Sequence, residues 1–302
     1  SEPYPGMVVL HEGLERAEWL VFHGAIDEAV PLLDAAENLS GRSAIYAAWL
    51  KGVALGACGQ YGKALEVVEG ITQGTPEYSM ARSLRASLLR QLGSHDLAVV
   101  ADREAMANAA TPGAAIEAMT GLAADAVGLQ EALTASTMLG QARSLLQKVA
   151  ADPANAPIWW RHSVRVSWVE CEVALLESRY PDAVTYATTA LDAAESANAP
   201  RHVAKSLLFL AVSKIEAGQR EQAVPDLRRS LMLSGSMGLL AVEWPTHAVL
   251  AALLKGGDPR AAHTHFVAAN AITDTVRQGL TGDLAQRWAE RDDILALRRE
   301  AS

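Results

Sequence analysis

The sequence predicts an all-α fold, a solenoid of helical hairpins, and three observations carry that prediction. The chain is rich in Ala, and half of its 302 residues are hydrophobic, a composition that favours helix when β-branched runs are scarce. No stretch alternates apolar and polar residues between turn signals, as a half-buried strand would. A short pattern recurs seven times: a helical stretch, a small residue, then, five positions on, an Ala opening the next helix. The instances are Gly24-Ala29, Gly59-Ala64, Gly93-Ala98, Gly128 with Leu133 (Ala132 one place early), Ser178-Ala183, Gly218-Ala223 and Gly256-Ala261.

Each part of the pattern has a physical reason. A Gly ends a helix because it takes the left-handed conformation without a Cβ clash. An Ala opening the next helix lets two helices cross closely. Periodicity and punctuation then place paired helices at 8–23 and 25–38, 43–58 and 61–71, 77–92 and 95–109, and 113–127 and 129–150. A second group follows at 158–178 and 181–197, 201–217 and 220–234, and 239–255 and 258–278, with a last helix at 283–299. Between the groups, Ala151 to Pro157 holds two prolines and an Asn. Each Pro removes a donor and restricts its neighbour. The segment therefore reads as a joint inside one solenoid spanning 1–302, with units one to four at 8–150 and units five to seven plus the cap at 158–300. Isolated repeats cannot bury their faces, so one continuous core is expected.

The small residues are spaced by 35, 34, 35, 50, 40 and 38 positions. This pattern resembles the tetratricopeptide repeat (TPR), a helix–turn–helix of 34 residues. The second unit matches best: Gly52, Gly59, Tyr61, Ala64 and Pro76 fall at the repeat's eighth, fifteenth, seventeenth, twentieth and thirty-second positions. Lys51 and Leu55 depart from its apolar and aromatic consensus, and the later units exceed its period. The resemblance implies a TPR-like α-α superhelix of about seven hairpins plus a C-terminal capping helix. The closing stretch Gly279 to Arg298 carries Leu284, Arg287, Trp288, Asp292 and Leu295. It is similar to the end of the helical-repeat region in large bacterial signalling ATPases and transcription activators of the maltose-regulator type. Read plainly, it is an amphipathic cap in which Leu284, Trp288, and Ile294 or Leu295 cover the end of the stack.

Composition excludes several functions. Lys plus Arg is 26 against 35 for Asp plus Glu, a formal charge of −9, which disfavours nucleic acid as a partner. No uncharged apolar run reaches the 18 residues of a membrane span, and SEPYPGMVVL is not a signal sequence. Cys58 and Cys171 are too few for a disulfide framework. Localisation is expected to be cytoplasmic. The nearest approach to a phosphate loop, ACGQYGKA at Ala57 to Ala64, lacks its first Gly and its final hydroxyl. His263 and His265, two apart, point to different faces of a helix and make no metal edge. Asp292-Asp293 and Glu12-Glu15 read as solvated acidic faces, and both Cys as core thiols. No nucleophile–base pair stands out, so no enzyme, cofactor or metal is expected.

In TPR arrays the first helices line a concave groove. Carried over by register, the groove receives Tyr46, Trp49 and Val53; Ser83, Ser87, Arg90 and Gln91; Leu122 and Asp125; Arg165, Trp168 and Glu172; and Lys205, Leu208 and Val212. An aromatic beside a cation suits an extended peptide; the alternative has Trp49 and Trp168 simply fill the core. Trp159 and Trp160, ahead of Arg161, His162 and Arg165, form a second candidate. Adjacent helical residues diverge by about 100°, so Trp160 can face the groove while Trp159 is buried. The expected function is a non-enzymatic scaffold holding a protein or peptide in this groove. The alternative is a sensor segment of a multidomain bacterial regulator that binds a small effector; an opening Ser1 in place of Met is compatible with it.

Overall fold

The computed structural model describes residues 12–36, 39–151 and 156–302, with the side chains of 12, 13 and 156–158 left aside. Among the described residues the regular structure is wholly helical. The first hairpin is α1 (Glu12–His23) and α2 (Ala29–Asp34), with a 3-10 turn at Ile26–Glu28 between them. Then come α3 (Gly41–Ala57) and α4 (Tyr61–Glu69), α5 (Tyr78–Gln91) and α6 (His95–Ala107), and α7 (Pro112–Gly128) and α8 (Ala132–Ala150). The second group is α9 (Ala156–Leu176) and α10 (Tyr180–Ser196), α11 (Pro200–Glu216) and α12 (Arg220–Ser236), and α13 (Leu240–Leu254) and α14 (Pro259–Gln278). The chain ends in α15 (Gly282–Ala289) and α16 (Asp292–Ala301).

Two elements differ from expectation. The helix expected over 25–38 is a 3-10 turn followed by a six-residue helix. The single closing helix expected over 283–299 is two helices, broken at Glu290 and Arg291, where Arg291 leaves the helical region at φ −60° and ψ 136°. The proposed joint falls largely on residues 152–155, which lie outside the described residues, as do 1–11.

The turn pattern holds in a corrected form. Gly59, Gly93 and Gly218 take positive φ, and so do Gln130, Ser178, Asn198 and Gly238. Each is followed by an amide that reaches back five residues, as Ser94 N does to Leu89 O at 2.8 Å and Gln219 N to Lys214 O at 2.8 Å. This Schellman closure satisfies carbonyls that the helix end leaves open. Gly24 and Gly256 are not among the positive-φ residues. In unit four the left-handed residue is Gln130, two places beyond Gly128, and the Ala five positions later is Ala135. Ala64, Ala98, Ala135, Ala183 and Ala223 have no exposed surface, so the Ala of the pattern sits at the helix crossing. Leu133, by contrast, is 83% exposed. Ser178, Asn198, Gly218 and Gly238 stand 20 residues apart, which makes units five and six regular hairpins of 40 residues.

Small residues also set the distance between successive units. A Cβ on Gly56 would lie 2.5 Å from Leu88 Cδ2, and one on Gly52 would lie 2.9 Å from Leu84 Cδ2. The glycines of α3 therefore admit the leucines of α5. At the helix starts, Thr111 and Asp258 accept from Ala114 N and Ala261 N, each at 3.1 Å, just ahead of Pro112 and Pro259. Such caps satisfy donors that the first turn cannot pair internally.

The stack also closes on itself. His23 Nδ1 lies 3.0 Å from Ala197 O, which joins α1 to the end of α10. One apolar cluster combines Leu14, Phe22, Tyr46, Trp49 and Leu50 with Ala204, Met237, Leu239 and Val242. A second joins Tyr61, Ala64, Val68 and Leu88 to Trp244, Phe266, Val276, Trp288, Ile294 and Leu297. The closing segment is therefore no lid on a free end. Arg291 Nη1 donates to Gln91 O at 2.7 Å, and Arg287 Nη1 to Asp96 Oδ1 at 2.9 Å. The buried members of the cap are Trp288, Ile294 and Leu297, while Leu295 is 36% exposed.

Candidate functional site

Closure turns the inner faces of the first helices toward one another around a cavity of about 540 Å³. Its apolar wall includes Trp49 and Val53 of α3, Leu208, Phe209 and Val212 of α11, and Trp244 of α13. Its polar wall includes Arg90 of α5, Glu117 of α7, Arg161, Arg165 and Glu172 of α9, and Arg201 and Lys205 of α11. A smaller chamber of about 200 Å³ shares Arg90, Arg165, Glu172 and Lys205 and adds Trp168.

Helical spacing makes this wall. Arg161 and Arg165 are four apart on α9, and so are Arg201 and Lys205 on α11, so each pair shares one helix face. Arg161 Nη1 donates to Glu117 Oε1, and Arg165 Nε lies 3.5 Å from the same oxygen. Burial opposes the charge on Glu117, but the two guanidinium groups outweigh it and hold its carboxyl down at about 2. Arg90 donates to Asp102 Oδ2 at 2.6 Å and to Asp125 Oδ1 at 2.9 Å. Burial pushes Asp102 well above the usual carboxylate range; Arg90 opposes this, while the hydrogen bond to Asp125 adds to it. Asp102 thus holds its proton more readily than a free carboxyl does. Gly121 makes room for this cluster, since a Cβ there would lie 2.3 Å from Asp102 Oδ1.

Arg201 and Lys205 are less well provided for. Among the described residues Arg201 has no ion pair, and its buried Nε has no hydrogen-bond partner. Burial, followed by repulsion from Arg161 and Arg165, pushes it down to about 9, still charged at pH 7. Lys205 Nζ stands 4.7 Å from the centroid of the Trp168 ring. Burial and then Arg165 push it down to about 8. Burial likewise raises Glu172, with Lys205 opposing.

Two histidines, His202 and His162, are buried behind the wall and are not among its lining residues, whereas His95 is. His202 is buried between Trp160, whose ring centroid is 4.9 Å away edge-on, and Trp168, stacked at 5.4 Å. His162 is 1% exposed, and burial pushes it down to about 4. An unfolded chain protonates this imidazole near 6.5 and the folded chain only near 4, so its contribution to stability is lost as pH falls from 6.5 to 4. The shift amounts to roughly 3 kcal/mol. Glu18 works in the opposite sense. Burial raises it to about 7 against the hydrogen bond from Tyr46, so the folded chain gains stability on acidification from 7 toward 4.5. The two effects are separated by difference: His162→Gln should lose roughly 3 kcal/mol less than wild type between pH 6.5 and 4, read by urea melts at several pH values. Parallel curves for the two proteins would show that His162 is not buried neutral.

The structure places the sequence candidates as follows. Arg90, Arg165 and Lys205 line both chambers, and Trp168 lines the smaller one. Trp49 borders the cavity while 1% exposed, stacked on Tyr46 at 5.8 Å and 6.2 Å from Phe22. Tyr46 has no exposed surface; its hydroxyl donates to Glu18 Oε2 at 2.8 Å, away from the cavity. Trp160 packs between His23 and His202 and is not among the lining residues. Trp159 packs on the other side of α9, against the cluster of α7 and α8. Sequence reasoning did not assign Glu117, Arg201, Phe209, Trp244 or Arg291 to the wall. The i, i+4 pair Arg201 and Lys205 after Pro200 was a usable signal; Trp244 and Arg291 had none, because only closure brings them there. No helix among the described residues is long and apolar enough to cross a membrane.

This geometry belongs to a known class of fold. No family model matches the chain, and no curated protein matches it. Among solved structures, the chain resembles a Rap protein complexed with Competence and Sporulation Factor, at TM-score 0.65 and 12% identity over 96% of this chain and 83% of that one. It resembles a chain of the APC/C hetero-tetramer Cut9-Hcn1 at TM-score 0.58 and 16% identity, covering 93% of this chain and 48% of that one. Aspartyl phosphate phosphatase F from Bacillus subtilis matches at TM-score 0.51 and 14% identity, over 99% of this chain and 83% of that one. The chain thus spans about half the length of the Cut9-Hcn1 chain. At these identities the likeness speaks for fold, and the chain is a TPR-like helical repeat protein.

Proposed function

We propose that this chain is a non-enzymatic scaffold that binds a peptide or protein segment in the cavity enclosed by its first helices. The observation that carries the reading is the cavity itself. Its 540 Å³ falls within the roughly 300–1,000 Å³ of ligand pockets. Indole rings stand beside cations on its wall, Trp49 by Arg161 at 5.7 Å and Trp244 by Arg291 at 5.8 Å, the pairing that anchors recognition of extended chains. Two of the similar folds were solved in complexes, Cut9 with Hcn1 and Rap with Competence and Sporulation Factor, an analogy of fold that adds modest support. A cytoplasmic setting is part of the proposal.

A second reading is the sensor segment of a multidomain regulator of the maltose-regulator type, holding a small effector. The closing segment favours it. Arg291 and Asp293 line the cavity and Arg291 also ties the two ends of the ring together, so an occupant touching them would bear on closure.

The test fills the cavity without touching its buried ion pairs. Ser87 lines the wall and is half-buried, so Ser87→Trp places an indole in the open volume. Wild type and Ser87→Trp are used as baits, and each is melted. The expected result is a partner retained by wild type and lost by Ser87→Trp, with the melting temperature kept within about 1.5 °C, a shift of about 1 kcal/mol for a chain of this size. The same partners on both baits would sink the reading.

A further inference from the structure

The cavity wall holds more cations than carboxylates. Arg161, Arg165, Arg201 and Lys205 face it from α9 and α11, and Glu117 and Glu172 are the carboxylates beside them. Arg90 adds no surplus, since Asp102 and Asp125 flank it. The accumulation runs against the chain's own balance of −9. A protein that is acidic overall thus carries a local surplus of cations on this wall.

Gathering them is unfavourable without a counter-charge. Like charges in a low-dielectric site repel far more strongly than in water. A buried cation without a partner also forgoes its hydration. The hydrogen-bonding capacity is not used up either: among the described residues Arg201 makes no ion pair and its Nε, like that of Arg161, has no hydrogen-bond partner, while Arg165 Nε is only 3.5 Å from Glu117 Oε1. Guanidinium groups present forked donors that match an oxyanion. From these positions and open donors, the geometry points to an oxyanion as the anchoring group of the ligand, held between α9 and α11 by Arg165, Arg201 and Lys205.

The apolar lining beside these cations says what the anion is attached to. Leu208, Val212 and Trp244 carry no charge and face the same volume. The ligand is thus a peptide with an acidic side chain flanked by apolar residues. This rests on the peptide reading above, and the experiment separates the two. A free or esterified phosphate would offer the same oxyanion chemistry, so it forms the second arm.

A pool of randomised hexapeptides, acetylated and amidated so that side chains supply the only carboxylates, is captured on the 302-residue chain and sequenced by mass spectrometry. The same capture is run on the Arg201→Met/Lys205→Met double variant. Wild type should enrich Asp and Glu by about tenfold, the factor that one charge-assisted contact gives. The double variant should lose that enrichment, keep the apolar preference, and melt at or above wild type, because repulsion has been relieved. Should it melt well below, the cations are structural and the inference fails, unless Lys205→Gln alone melts like wild type and loses most of the acidic preference. Apolar peptides captured without acidic preference would overturn the anion and leave the peptide reading standing. No enrichment of peptides, together with a melting temperature raised by inorganic phosphate in wild type but not in the double variant, would overturn the peptide and keep the anion. Silence in both arms would overturn both.

Discussion

Replacing Gly62 by Ala should destabilise the protein by about 3 kcal/mol, the upper end of what overpacking costs. A Cβ at this position would lie 2.2 Å from the carbonyl oxygen of Gly279. The obstacle is backbone, at the junction of α14 and α15, and no rotamer change can remove it. The contact is the seam of the ring, where the fourth helix meets the chain 217 residues later. Intrinsic propensity argues the other way, because Ala is favoured over Gly inside a helix by about 1 kcal/mol. The sign of the change therefore decides between a closed ring and an open solenoid. Gly140 of α8 supplies the control: a Cβ there meets nothing within 4 Å, so Gly140→Ala should stabilise by about 0.5–1 kcal/mol. Chemical denaturation of both variants gives the comparison. If Gly62→Ala gained stability alongside Gly140→Ala, the seam would not exist in solution, and the cavity would be an open groove.

What the sequence made legible was local. Hairpins could be placed because the signals that set them lie within a few residues of each other. Gly59 with Ala64, Gly93 with Ala98 and Gly218 with Ala223 combine a left-handed turn with a crossing that has room only for a methyl group. Unit four misled for a physical reason. Gln130 pays the strain of a left-handed residue where Gly was expected, while Gly128 is small for another purpose: a Cβ there would lie 2.2 Å from His95 Nδ1. Closure was not legible, because small rotations accumulate over many units and no short pattern encodes their sum. The site divides along the same line. Arg90, Arg165 and Lys205 followed from repeat register. Trp244 and Arg291 reach the wall only when the ends meet, and register alone could not tell that Trp49, like Tyr46, is buried in the core, with Trp49 merely bordering the cavity.

The ion pair at the heart of the wall should be among the least tolerant positions in the chain. Glu117 is 5% exposed and Arg161 4%, so neither charge can turn to water if the other is removed. Glu117→Gln should therefore cost about 3–5 kcal/mol, the range seen when one member of a buried pair is deleted. The loss comes from the stranded partners more than from the missing bond, since Arg161 and Arg165 would repel each other with no carboxylate between them. Acid should reproduce the effect in wild type. The carboxyl of Glu117 is held at about 2 against an ordinary 4.5, so the stability it contributes is full above pH 4.5 and disappears as pH falls through 2. The contrast is the Glu117→Leu/Arg161→Met double variant, in which apolar groups replace both charges and most of the loss should return. A double variant as unstable as the single one would place the cost in packing instead of charge. A single variant within about 1 kcal/mol of wild type, the value of an exposed pair, would mean that water reaches this wall, and with it would go the low dielectric on which the anion site depends.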